Sequence, residues 1–244
     1  MQRTQHRPGG AAPPPVRPGL RFGRAGGRGR RGRGWALPSM EDSGPGCLSI
    51  APAFILPVMQ PRPRSAPVLR GERLLLRPPV PADLEERRRL GFSPEIQRGY
   101  GVEMAGRRDM TAEQAQREYG AWLSDDFGWV LDLDGRFVGY VGLHHLEPHD
   151  MRAALRIGLA DETLLGRGLG AEAIRLVAQF AFEALGLHRM SLRVLATNER
   201  AIRCYEKCGF RHEGREREAA RVGSGWVDDL IMGLLPADLA ASRP

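Results

Sequence analysis

The sequence predicts a mixed α/β (α+β) domain, a central mixed sheet of about six to seven strands with flanking helices, preceded by a disordered tail. Three observations carry this. Composition changes abruptly near residue 70. A glycine-rich turn, Gly166-Arg167-Gly168-Leu169-Gly170-Ala171, stands where a strand pattern gives way to an amphipathic helix pattern. Asp134-Gly135 separates two apolar runs, which signals a hairpin and so a sheet with antiparallel pairs.

Residues 1–70 hold twelve Arg, no Lys and two carboxylates, Glu41 and Asp42, with GRAGGRGRRGRG at 23–34. A segment this polar and glycine-rich cannot bury enough apolar surface to offset its ordering entropy. The basic pI of about 10.1 therefore belongs to the tail, and residues 71–240 make a slightly acidic folded domain of ordinary size. The tail reads either as an arm that contacts nucleic acid through its charge or as an extension without a role, since Met40 and Met59 are alternative starts. Cys47, Cys204 and Cys208 form neither a disulfide framework nor a zinc pattern. With no apolar run of the ~18–20 residues that a membrane span needs and no secretory signal, the chain reads as soluble and cytoplasmic, a monomer or homodimer.

Glu72–Arg77 reads as the first strand, and Pro81–Leu90 as a helix with Pro and acidic residues in its first turn. Residues 91–109 show no period. Thr111 and Gln114 have capping-box spacing and open a helix to about Ser124. Trp129–Leu131 and Arg136–Leu143 form the hairpin, and a polar turn, His145–Asp150, leads to a strand near Ala153–Leu159. Ile174, Val177, Ala178, Ala181 and Leu185 then mark one face of a helix from Leu169 that ends at Gly186. Met190–Leu195 is a strand. Asn198 is an N-cap for a helix through Cys208, and Gly209 ends it. Cys204 and Cys208, four apart on that helix, share a face as buried thiols. Phe210–Glu213 and Val227–Leu234 supply the last strands.

The glycine turn carries chemistry. Glycines let a ligand approach backbone N–H groups without meeting a Cβ, and the following helix starts with unpaired N–H groups at its positive dipole end. Together they suit a phosphate or pyrophosphate.

With GRGLGAEA followed by LHRMSLRVLATNERAIRCYEKCGFRHEGRERE and a terminal WVDDLIMGLL, the chain resembles the GNAT superfamily of acetyl-CoA-dependent N-acetyltransferases. It is most similar to the branch of ribosomal-protein N-terminal and spermidine acetyltransferases. The resemblance spans about Glu72 to Leu235 and implies a GNAT fold, a transferase (acyltransferase) activity, acetyl-CoA as co-substrate, and direct transfer to an amine of a protein N-terminus or small molecule. Two positions depart from the pattern. Leu165 stands where Gln or Arg usually precedes the first glycine. Ala154 stands where some polyamine-acetylating relatives carry a glutamate, which argues against a carboxylate base there and against a polyamine acceptor.

The resemblance implies cofactor contacts at Gly166, Arg167, Gly168, Leu169, Gly170 and Ala171, with Asn198 on the pantetheine arm and Arg203 near the phosphates. A backbone N–H near Ile157, Gly158 or Leu159 would face the oxyanion, and the hydroxyl of Tyr205 would donate to the departing thiolate. By spacing alone, Tyr205 shares a helix face with Ile202 and reads equally as core, Asn198 as a cap, and Glu172 as a structural carboxylate at a helix start. His144, His145, Glu147, His149 and Asp150 read as a solvated loop or as a proton relay; no metal is expected. The alternative to an enzyme is a non-catalytic acyl-CoA-binding module whose basic arm contacts nucleic acid.

Overall fold

The computed structural model describes residues 65–242, so the expectations for residues 1–64 and Cys47 lie outside the described residues. Eight strands form one mixed sheet: β1 (Leu69–Arg70), β2 (Leu74–Arg77), β3 (Phe127–Leu133), β4 (Arg136–Glu147), β5 (Arg152–Leu159), β6 (Arg189–Leu195), β7 (Arg211–Val222) and β8 (Gly225–Leu234). Their order is β1-β2-β3-β4-β5-β6-β8-β7. Every neighbouring pair is antiparallel except β5 and β6. The strand beyond the expected number is β1. It falls within residues 65–70, which the sequence reading assigned to the tail. Leu69 packs on the core, and the carbonyl of Pro67 accepts a hydrogen bond of 2.6 Å from the indole of Trp129. Burial of Trp129 thus holds these residues to the sheet.

Six helices flank it: α1 (Ala82–Leu90), α2 (Pro94–Arg98), α3 (Ala112–Leu123), α4 (Leu169–Glu183), α5 (Glu199–Lys207) and α6 (Pro236–Ala241). The capping box at Thr111 and Gln114 is formed in both directions, and Asn198 caps α5 by accepting from the N–H of Ala201. The two faces of the sheet bury different sets. On one, Ile174, Val177, Ala178 and Ala181 of α4 pack over Val141, Leu143 and Leu155, and α5 lies alongside. On the other, Tyr119 and Trp122 of α3 pack with Val130, Phe137 and Tyr140, the Trp122 and Tyr140 rings stacked at 5.1 Å. Among the described residues, no helix is long and apolar enough to cross a membrane.

One break in the sheet positions the site. β5 and β6 pair only at Arg152 with Arg189, Ala153 with Met190 and Ala154 with Ser191. Beyond Ala154 the strands diverge, because β6 continues paired with β8 while β5 stays with β4. Residues 155–159 of β5 therefore present an edge with no strand partner inside the sheet.

Candidate active site

Strand geometry identifies the free groups on that edge. Backbone N–H and C=O groups alternate between the two sides of a strand. A Cβ on Gly139 of β4 would strike the carbonyl oxygen of Gly158, and the N–H of Ala160 donates 2.9 Å to Val138, so residues 158 and 160 turn toward β4. The alternate residues, Ile157 and Leu159, turn their N–H groups into the opening between β5 and β6. Their side chains meanwhile pack on the α4 face of the core.

The glycine turn follows β5 through a single 3₁₀ turn, Glu162–Leu164. Gly166 and Gly168 have φ of 75° and 81°, a left-handed backbone that side chains resist. A Cβ on Gly166 would meet nothing within 4 Å, so the turn is open above its backbone. Gly168 is the N-cap of α4 and brings no side chain to cap it. Leu169 and Ala171 anchor the helix start in the core, while Arg167 is exposed and its carbonyl is held at 2.8 Å by Nη1 of Arg73. Glu172 accepts from the N–H groups of Arg73 and Leu74 at 2.8 and 3.0 Å. Burial opposes its charge, and those N–H groups with the Arg73 guanidinium outweigh it, so its pKa is lowered. Glu172 is thus committed to the β1–β2 connection.

α5 lies against this turn. A Cβ on Gly170 would stand 3.6 Å from Sγ of Cys204, and Sγ of Cys208 reaches the carbonyl of Ala171 at 3.6 Å. Tyr205 packs edge-on against Phe210 at 5.9 Å, and no group among the described residues hydrogen-bonds its hydroxyl. Burial first, then the neighbouring Tyr100, Cys204 and Cys208, push its pKa well above the ordinary phenol value. Tyr205 is therefore a neutral hydrogen-bond donor at any physiological pH. Arg203 is exposed and paired with Glu199 at 2.9 Å.

Sequence reasoning missed α2 and Tyr100. The short helix crosses the opening and is fastened at three points. The hydroxyl of Ser93 donates to Glu162, which lies between β5 and the glycine turn. Arg200 reaches Glu95 at 2.6 Å, and Nδ2 of Asn198 donates 2.9 Å to the carbonyl of Gly99. Tyr100 follows directly, and its hydroxyl stands over Gly158 where a Cβ would otherwise be. Tyr100 is 57% exposed, yet burial is the leading cause of its raised pKa. The ring is the exposed part, while the hydroxyl lies against Gly158. Gly223 and Val222, at the turn between β7 and β8, approach Glu103 and Gly101 and close the far side.

The histidine-rich stretch does not converge. β4 runs on to Glu147, His149 is fully exposed, and His144 pairs with Ala154. Gly158 is four residues farther along β5, roughly 13 Å away. Among the described residues no group of His, Cys, Asp and Glu is arranged to hold a metal ion.

An open left-handed glycine turn, an uncapped helix start and a free strand edge fit the diphosphate and pantetheine of coenzyme A. Residues 73–211 match the acetyltransferase (GNAT) domain model. The chain is 30% identical over 180 residues to "Probable N-acetyltransferase YjcK" of Bacillus subtilis, covering 70% of this chain and 98% of that protein. It is 35% identical over 86 residues to the spermidine N(1)-acetyltransferase of Escherichia coli, covering 35% of this chain and 46% of that enzyme. The fold matches the crystal structure of spermidine N-acetyltransferase from Vibrio cholerae in complex with CoA and spermine, with a TM-score of 0.58 and 22% identity, covering 70% of this chain and 99% of that one. The protein belongs to the GNAT acetyltransferases. It is an N-acetyltransferase of that family, and acetyl-CoA is its co-substrate.

Proposed function

We propose that the protein acetylates a primary amine, on a small molecule or a protein N-terminus, by direct transfer within a complex of both substrates. The observation that carries this is the free edge of β5, where the N–H groups of Ile157 and Leu159 turn into the opening beside the Tyr100 hydroxyl. Acetyl-CoA supplies the acetyl group as an activated thioester.

The roles of the chain's own groups follow. The N–H groups of Gly166 to Ala171 hold phosphate at the positive end of α4, with Arg167 and Arg203 adding charge. Leu159 or Ile157 donates its N–H to the carbonyl oxygen as negative charge gathers there. Tyr100 accepts a hydrogen bond from the amine and aims its lone pair. A C–N bond forms as the C–S bond breaks. The nitrogen releases a proton to water in the opening, and the leaving sulfur accepts a hydrogen bond from the Tyr205 hydroxyl and takes its proton from water. Because the Tyr205 phenol is harder to ionise than usual, it keeps its own proton and stabilises the leaving sulfur by hydrogen bonding. Asn198 contributes to the pantetheine arm alongside its bond to Gly99.

The test is thiol release from acetyl-CoA against amines and N-terminal peptides, with Tyr205→Phe alongside. Acceptor-dependent release that falls about 10²-fold in the variant supports the reading. Cofactor binding without release for any acceptor would favour an acyl-CoA-binding module instead.

A further inference from the structure

We propose that Arg156 reads a carboxylate on the acceptor, so that the amine acetylated here belongs to an amino acid or to a peptide with an acidic first residue. This rests on the reading of the β5 opening as the site of acetyl transfer. Side chains alternate along a strand, so Arg156 lies on the same face as Gly158, two residues before it and roughly 6–7 Å away. That face is opposite to the one packed on α4, and it is where the Tyr100 hydroxyl stands.

The guanidinium is held in a built setting. Its Nε donates 2.7 Å to Oδ2 of Asp125, and its Nη2 donates 2.5 Å to the carbonyl of Ala121. The hydroxyl of Tyr140 donates 2.8 Å to the same Oδ2, and the guanidinium carbon sits 5.5 Å from the Tyr140 ring centre. Two glycines clear the space. A Cβ on Gly142 would overlap the Asp125 carboxylate, and one on Gly128 would overlap the Tyr140 hydroxyl. The Asp125 side chain is 4% exposed and that of Arg156 39%. Burial raises the Asp125 pKa even against the pull of Arg156 and Tyr140, so holding this carboxylate ionised is costly.

What the arrangement yields is one oriented guanidinium. Asp125 holds Nε, Ala121 holds Nη2, and the guanidinium lies beside Tyr140, with no hydrogen bond at Nη1 that meets ordinary geometry among the described residues. Its free N–H groups can take a carboxylate in a bidentate manner. Glu118 is engaged by Arg87 at 2.6 Å, which leaves Asp125 as the carboxylate paired with Arg156. A polyamine would bring ammonium groups against this guanidinium. The rival account is that Arg156 only closes the C-terminal end of α3 through Ala121, and the test separates the two.

The experiment measures kcat/KM of the full chain with acetyl-CoA and matched acceptors: glycine against glycinamide, the peptide amides Glu-Ala against Gln-Ala, and spermidine. The expected result is a preference of about ten-fold or more for the carboxylate member of at least one pair. The pair that shows it tells a free amino acid from a peptide. Arg156→Met should collapse that ratio toward one through KM, with Arg156→Lys keeping part of it. Release with several amines but no carboxylate preference, or spermidine as the best acceptor, would overturn this proposal alone; the wild-type ratios decide this even if a variant folds poorly. Equal loss on both members of a pair in Arg156→Met would leave only the closing role and also overturn it. No release with any acceptor would overturn the acetyl-transfer reading, and this one with it.

Discussion

The side-chain amide of Asn198 spans two elements: Oδ1 accepts from the N–H of Ala201 to cap α5, and Nδ2 donates 2.9 Å to the carbonyl of Gly99 at the end of α2. One residue thus ties the helix carrying Tyr205 to the segment carrying Tyr100. Asn198→Ala loses both bonds and should cost about 1 kcal/mol through the cap, a fall of about 2–4 °C in melting temperature, together with activity. Asn198→Asp keeps the capping oxygen and loses the donor. Melting should stay near wild type while kcat/KM falls, and equal loss of both would contradict this division of labour.

Gly158 leaves the space that the Tyr100 hydroxyl fills. Gly158→Ala should displace Tyr100 and lower kcat about ten-fold or more. Tyr100→Phe removes the hydroxyl and makes room. The double variant should then be no worse than the poorer single one, a departure from additivity that marks contact. Additive losses would mean that the two positions act independently.

His144 makes stability depend on pH. Burial, reinforced by His145 and Arg156 and opposed by Asp126, lowers its pKa from 6.5 to about 4. The folded state favours the neutral ring, whereas the unfolded chain takes up a proton already near 6.5. The contribution is therefore complete above pH 6.5 and is lost as pH falls from 6.5 to about 4. Asp125, with a raised pKa, has the opposite sign at the acid end. Denaturant unfolding at stepped pH should show a decline across this window that His144→Gln flattens.

Tyr100, over Gly158, and Tyr205 on α5 both resist ionisation. The acid limb of the rate profile should then belong to the acceptor amine, which reacts only when unprotonated. Comparing acceptors whose amine pKa values differ should move the limb with the acceptor. A limb fixed across acceptors would reveal a titrating base on the protein.

The parts of the site that local rules govern were legible in the sequence. The glycine turn, the 3.6-residue stripe of α4 and the cap at Asn198 each lie within a few residues of chain. α2 was not: it is five residues long, its stretch has no period, and it is fixed by partners remote in sequence such as Glu162 and Asn198. Tyr100 carries no readable signal, because the glycine that makes room for its hydroxyl is remote in sequence. Sequence pattern marks β7 only to Glu213, because its charged run lacks alternation. It extends to Val222 by pairing with β8, with Arg193 bridging to Glu216 and Asp229. Asn198 was expected on the pantetheine arm, and its bond to Gly99 is a further task that sequence spacing does not encode.

The most direct test of the central claim, transfer across the β5–β6 opening without a covalent protein intermediate, is the initial rate with acetyl-CoA and acceptor varied together. Direct transfer predicts double-reciprocal lines that intersect, because both substrates must be bound before either product leaves. Parallel lines would mean that CoA departs first and a protein group carries the acetyl, which would contradict the account.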